Sequence, residues 1–168
     1  TTAKGLSGGL PQSALVGRRE LMDIYAPNTM TSTHSGSPVA SAGTAANIKF
    51  LKEHNMCQEA LRKGKIMEEK LKALWKQFPE RISYVSGIGM AWAVTFAEAD
   101  THAIHPEFAL EVTKKCNENG LTFFAAVGAG ITMKLTPPLT IPDDALIEGL
   151  EAYATAVAEA DAIMPAYK

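Results

Sequence analysis

The 168-residue sequence is short of several things, and each absence narrows what it can be. It has only two cysteines, Cys57 and Cys116, at a spacing that fits no zinc or redox motif. Each lies in an amphipathic stretch, so both are expected to be buried thiols in a reducing, cytoplasmic setting. No apolar run approaches the roughly 20 residues needed to span a bilayer. The first residues, Thr1-Thr2-Ala3-Lys4-Gly5, carry no signal-peptide pattern. Neither sign of charge dominates: 16 lysines and arginines stand against 18 carboxylates, a net of -2. That balance offers no electrostatic footprint for a nucleic acid or a membrane surface. There is no internal repeat and no low-complexity segment.

What is present suits a packed core: 46% of residues are apolar and 20% charged. The length allows one domain, or one small domain plus a piece of another. The chain has no initiator methionine and opens inside an informative motif, so it is expected to be a fragment of a longer protein. Residues 1–38 are rich in Gly, Ser, Thr and Pro and read as loop, a strand at Ala14-Leu15-Val16, then loop. A short helix is expected from Arg18 to Tyr25, ended by Pro27 and Asn28. Pro38 opens a helix to about Glu53, because a proline in the first turn sacrifices no hydrogen bond. Its early residues, from Val39 to Ala46, are small and would let another backbone come close. A second helix is expected over Met56 to Phe78. Met67, Leu71, Leu74, Trp75 and Phe78 form its apolar stripe, and the charges, Lys63 among them, form a solvated face.

Beyond Pro79 the period changes. Ile82 to Ser86 and Met90 to Phe96 read as strands around Gly87 and Gly89. His105-Pro106 starts a helix that Asn119-Gly120 stops. Leu121 to Val127 and Ile131 to Leu135 read as two further strands. Asp143-Asp144 place negative charge in the first turn of a last helix, whose buried stripe is Leu146, Leu150, Tyr153 and Val157. Two long helices followed by β-β-α-β-β-α define an α/β to α+β class. The expected form is a small domain with helices on one face of a short, mostly antiparallel sheet.

Three places could carry chemistry. Lys4 sits in Lys4-Gly5-Leu6-Ser7-Gly8-Gly9-Leu10-Pro11. A lysine acts as a nucleophile when its amine is neutral or already held as an imine, and glycines beside it let a bulky group approach the backbone. Composition alone allows an ordinary surface lysine in a loop. A P-loop is a poor match, because here the lysine precedes its glycine and no hydroxyl follows it directly. The second place is Thr31-Ser32-Thr33-His34-Ser35-Gly36-Ser37-Pro38, running into a helix whose start favours a bound anion. A plain cap by Ser35 or Ser37 is the alternative. His34 has no second histidine or carboxylate near it in sequence, so no metal is expected. The third is Met133-Lys134-Leu135-Thr136-Pro137-Pro138-Leu139, where a strand-end lysine offers a point charge to a carboxylate or simply faces solvent.

Taken together, the three motifs resemble the class-III pyridoxal-phosphate-dependent aminotransferases, in that family's order and at about its spacing. The family has Lys-Gly-x-x-x-Gly-x-Pro, like Lys4 to Pro11. It continues with an apolar strand and a Gly-Arg turn, like Ala14 to Arg18. Thr-x-x-Gly-Asn-Pro matches Thr33 to Pro38, with Ser37 in the usual Asn place. Arg-x-x-Pro-Pro-Leu matches Lys134 to Leu139, with lysine in place of arginine. The resemblance implies the C-terminal portion of a fold-type I transferase. Residues 1–54 would end the large cofactor domain and give a linking helix; residues 55–168 would form the small C-terminal domain.

The same resemblance implies an aminotransferase that moves an amino group from an amine or omega-amino acid to a 2-oxo acid, with pyridoxal 5'-phosphate as cofactor. Lys4 would hold the cofactor as an internal aldimine and shuttle a proton. Thr33 would bind its phosphate, across the interface of a homodimer, helped by the backbone N–H near His34. Lys134 would face the substrate carboxylate with one point charge where arginine gives a planar fork. The family's pyridine-nitrogen aspartate, stacking aromatic and phosphate cup precede the lysine, so the chain alone is not expected to complete the site. A same-fold aminomutase or decarboxylase, or a non-catalytic packing or dimerisation piece, are the alternatives.

Overall fold

A computed structural model describes residues 1–26, 29, 32–97, 104–124 and 128–164. The chain divides into two compact units, Thr1–Met56 and Cys57–Lys168.

In the first unit Lys4–Ser7 makes a single 3-10 turn, and two helices follow, α1 (Arg19–Met22) and α2 (Pro38–Glu53). Pro38 stands in the first turn of α2, as expected. The strand expected at Ala14-Leu15-Val16 is not formed. Only Ala14 pairs, exchanging two 2.8 Å backbone hydrogen bonds with Thr2. Leu15 and Val16 are exposed, so no buried face extends the ladder. Helix α1 covers four residues rather than the expected eight-residue span. Leu21, Met22, Ile24 and Tyr25 are all exposed, and a short helix that buries no face gains little from its own hydrogen bonds. Pro27 and Asn28, expected to stop it, lie outside the described residues.

The second unit contains α3 (Met56–Gln77) from its second residue onward, β1 (Ile82–Ile88), β2 (Ala91–Phe96), α4 (Pro106–Glu118), the single turn α5 (Gly128–Ile131), β3 (Thr132–Leu135) and α6 (Asp143–Ile163). The three strands form one antiparallel sheet in the order β1-β2-β3. Alternate residues Ile82, Val94, Phe96, Met133 and Leu135 are buried, together with Val85 and Trp92. They share one core with Met67, Leu71 and Leu74 of α3, Phe108 and Val112 of α4, and Leu146, Leu150, Tyr153 and Val157 of α6. Helices on one face of an antiparallel sheet are what the sequence pattern implies. Arg81 ties the end of α6 to the start of β1. Its guanidinium donates to Asp161 at 2.6 Å and to the Met164 carbonyl at 2.9 Å, and lies 4.7 Å over the Phe108 ring.

Three expectations are corrected here. Leu121 to Phe124 form no strand; Ala125 to Val127 lie outside the described residues. The chain leaves α4 through a left-handed Gly120, and Leu121 N–H bonds back to the Cys116 carbonyl at 2.8 Å. That backbone closes the helix end instead of joining a ladder. Cys57 is exposed and only Cys116 is buried. One residue beyond buried Met56, Cys57 is rotated about 100° off the inward stripe. The Cys116 thiol is pushed up to about 12 by burial, which leaves it inert. Lys63 belongs to the buried stripe of α3 rather than to its solvated face.

No helix among the described residues is long and apolar enough to cross a membrane. One close approach organises the second unit. A side chain at Gly64 of α3 would put its Cβ 2.6 Å from the backbone of Gly89 in the β1–β2 turn. Gly89 itself has a positive φ of 55° and accepts a 2.9 Å hydrogen bond from the Trp92 indole. Gly64→Ala should therefore push helix from hairpin and cost about 1–3 kcal/mol, the usual range for overpacking. A denaturant midpoint measures this, and an unchanged midpoint would mean the contact constrains nothing.

Candidate active site

Lys4 opens the 3-10 turn in a left-handed conformation, φ 55°, unusual for a residue with a side chain. Such a conformation costs roughly 1–2 kcal/mol, so the surroundings must hold it. Gly8 ends the turn with φ 70° and Gly9 follows at φ 134°. Beneath it runs α2. A Cβ on Gly43 would sit 3.2 Å from the Ser7 carbonyl oxygen and 3.2 Å from Leu10 Cδ1, so the turn rests almost against helix backbone. Ser7 is buried and its hydroxyl donates to the Leu10 carbonyl. One helical turn further on, Asn47 Nδ2 donates to the carbonyls of Gly5 at 2.9 Å and Leu6 at 3.0 Å. The small residues of α2 thus do what their size suggests. The Lys4 side chain is exposed, and its amine has no ion pair or hydrogen bond among the described residues. A Cβ added at Gly5 or Gly9 would meet only open space, so the backbone flanking Lys4 is uncovered at those two residues.

Thr33 and His34 lie in the exposed turn that precedes α2, in the same unit as Lys4. Ser32 and Ser35 pair with each other through hydroxyls 2.8 Å apart. Ser37 stands at the N-cap without a side-chain capping bond, so the plain-cap alternative does not describe it. The Thr33 hydroxyl has no partner among the described residues, which leaves it able to donate to an anion.

Lys134 belongs to the second unit. It is exposed between buried Met133 and Leu135, so alternation sets its side chain on the sheet face away from the helices. Its partner in β2 is Ala93, which pairs in turn with Ser86 in β1. Small neighbours leave the ammonium uncrowded, and no carboxylate pairs with it among the described residues. Beside β3 opens a cleft of about 380 Å³, lined by Lys134, Thr136, Pro138, Leu121, Phe123 and Leu150 among others. The other described lining residues are uncharged.

Lys63 is the residue here that the sequence hid. Its ammonium is buried and donates to the carbonyls of Leu139 at 3.0 Å and Ile141 at 2.6 Å. It clamps the segment that leaves β3 after the double proline. Close by, Arg62 bridges Glu59 at 3.0 Å and Asp143 at 2.7 Å, holding both carboxyls below their ordinary range. No group of three His, Cys, Asp or Glu residues among those described could hold a metal.

A family model described as aminotransferase class-III matches residues 1–157. The chain belongs to that family, whose members depend on pyridoxal phosphate. It is 31% identical over 150 residues to the 5-aminovalerate aminotransferase of Pseudomonas putida, covering 89% of this chain and 35% of that protein. It is 33% identical over 162 residues to the leucine/methionine racemase of Thermococcus litoralis, covering 96% of this chain and 36% of that one. Among solved structures, a transaminase from directed evolution by ancestral reconstruction superposes with a TM-score of 0.85 at 25% identity. That match covers 96% of this chain and 38% of the other. The fold is that of the pyridoxal-phosphate-dependent transaminases, and the chain spans about a third of the length of these relatives.

Replacing Lys63 with alanine removes the donor to two part-buried carbonyls, at about 1–3 kcal/mol in all. Lys63→Ala should lower the denaturant midpoint, and amide exchange should quicken around Leu139 to Ile141. Unchanged exchange there would show that the clamp does not hold the segment.

Proposed function

We propose that the chain is the C-terminal portion of an aminotransferase that moves an amino group from an amine or omega-amino acid to a 2-oxo acid. The observation that carries this reading is the state of Lys4. Its amine is unpaired among the described residues, on a strained glycine-rich turn pressed onto α2, at the position where the family motif has its cofactor lysine. The residues present fit the covalent end of pyridoxal phosphate: an accessible amine with open space at Gly5 and Gly9. When bound, that cofactor supplies an electron sink for the carbanion at the substrate α-carbon.

The chain's own residues do the rest. Lys4 Nζ would hold the cofactor covalently, and its amine would move the proton at the substrate α-carbon. Thr33, with the backbone N–H near His34, would donate to the cofactor phosphate across the homodimer interface. Lys134 attracts the substrate carboxylate as a point charge; three rotatable donors orient it less than a guanidinium fork would. The exposed apolar side chains of Leu15, Val16, Ile24, Tyr25 and Val39 supply surface for a second copy, in line with a homodimer. A cytoplasmic setting accords with two free thiols.

Similarity to a racemase favours a second reading on the same residues, in which Lys4 moves a proton and no nitrogen changes hands. Transfer of labelled nitrogen to an added 2-oxo acid marks the first; inversion at the α-carbon with no acceptor consumed marks the second.

Treatment with pyridoxal 5'-phosphate and then borohydride should place a reduced pyridoxyl group on the Lys4 peptide, read by mass spectrometry. Lys4→Ala should remove that adduct. Adducts spread evenly over exposed lysines would sink the assignment.

A further inference from the structure

Asn47 has no place in the motifs that tie this chain to its family, yet its side chain reaches across more than forty residues to the turn that carries Lys4. Its amide nitrogen donates to the consecutive carbonyls of Gly5 and Leu6. Those carbonyls are the first two beyond Lys4. Holding them fixes the Gly5–Leu6 and Leu6–Ser7 peptide planes, and so anchors the turn immediately after the left-handed Lys4. The Asn47 side chain also lies 3.8 Å from where a Cβ on Gly8 would stand, so it touches the far end of the same turn. Gly43, four residues earlier on that face of α2, sets how closely the turn approaches.

We infer that Asn47 is a positioning residue for Lys4: its amide locks the Gly5 and Leu6 carbonyls, and thereby fixes where the Lys4 amine meets the cofactor. This rests on the reading of Lys4 as the cofactor lysine. Asn47 touches neither cofactor nor substrate in that reading; it acts through the backbone. A hydrophobic residue of the same size would pack against the turn but could not orient it. An aspartate would keep the shape while replacing two donors with an oxygen that repels the carbonyls.

The test compares borohydride-trapped pyridoxal 5'-phosphate on Lys4 with that on the other lysines, in the unsubstituted chain, Asn47→Asp and Asn47→Gln. Backbone carbon shifts at Lys4 report its conformation in the same samples without cofactor. Asn47→Asp should lower the Lys4 share about tenfold, the factor that ~1.4 kcal/mol carries, with adducts elsewhere unchanged. Its Lys4 shifts should leave left-handed values while those of Cys57–Lys168 stay fixed. Should shifts across α2 collapse too, Asn47→Gln decides, because it keeps the donors. Retained Lys4 labelling there supports the role, and a loss equal to that of Asn47→Asp overturns it. An Asn47→Asp chain with full Lys4 labelling and left-handed shifts overturns the inference and leaves Lys4 as the cofactor lysine. No preference for Lys4 in the unsubstituted chain overturns both.

Discussion

The contact between the Lys4 turn and helix α2 is the constraint on which the proposed chemistry depends. A lysine with φ 55° returns to extended or helical backbone unless something holds it. What holds it is the absence of a side chain at Gly43, which lets the Ser7 carbonyl approach the helix, and the amide of Asn47 above. The flanking glycines relieve the rest of the turn. The amine is left unpaired among the described residues and open to a ligand, while the backbone that carries it is tied down. Flexible lysines are common on protein surfaces; one on a strained and fixed backbone is not.

The second unit solves a different problem. Its single antiparallel sheet buries one face on three helices and leaves on the other Lys134, the small Ala93 and Ser86, and the exposed Tyr84 and Ile88. Presenting that charge in a fixed place requires the strand to be held. β3 is rigid on one side through its ladder with β2, and its exit is held by the buried ammonium of Lys63. A buried cation with two carbonyl acceptors is tolerable because its hydrogen bonds replace those lost with water.

Much of this was legible from local chemistry. Pro38, Asn119-Gly120 and Asp143-Asp144 mark helix ends because proline, glycine and early carboxylates act within a turn of where they stand. The inward stripe of α6 follows from its period alone, and the alternation around Lys134 sets its exposure. What was not legible depends on distant partners. Lys63 reads as one more charge on a charged face until the Leu139 and Ile141 carbonyls, far along the chain, are brought to it. Ala14 to Val16 has strand composition but meets only Thr2. Leu121 to Phe124 has the residues of a strand, but its first N–H is already spent on the end of α4. Asn47 looks like an ordinary polar residue on a helix, because hydrogen bonds to carbonyls leave no motif.

The central claim, that Lys4 is the lysine poised for pyridoxal phosphate, is tested most directly by following the lysine side chains of the labelled chain by NMR during a titration with that cofactor. The account predicts that the Lys4 resonance changes first, at a concentration that leaves Lys134 and the lysines of α3 unperturbed. Simultaneous change across all exposed lysines would contradict it.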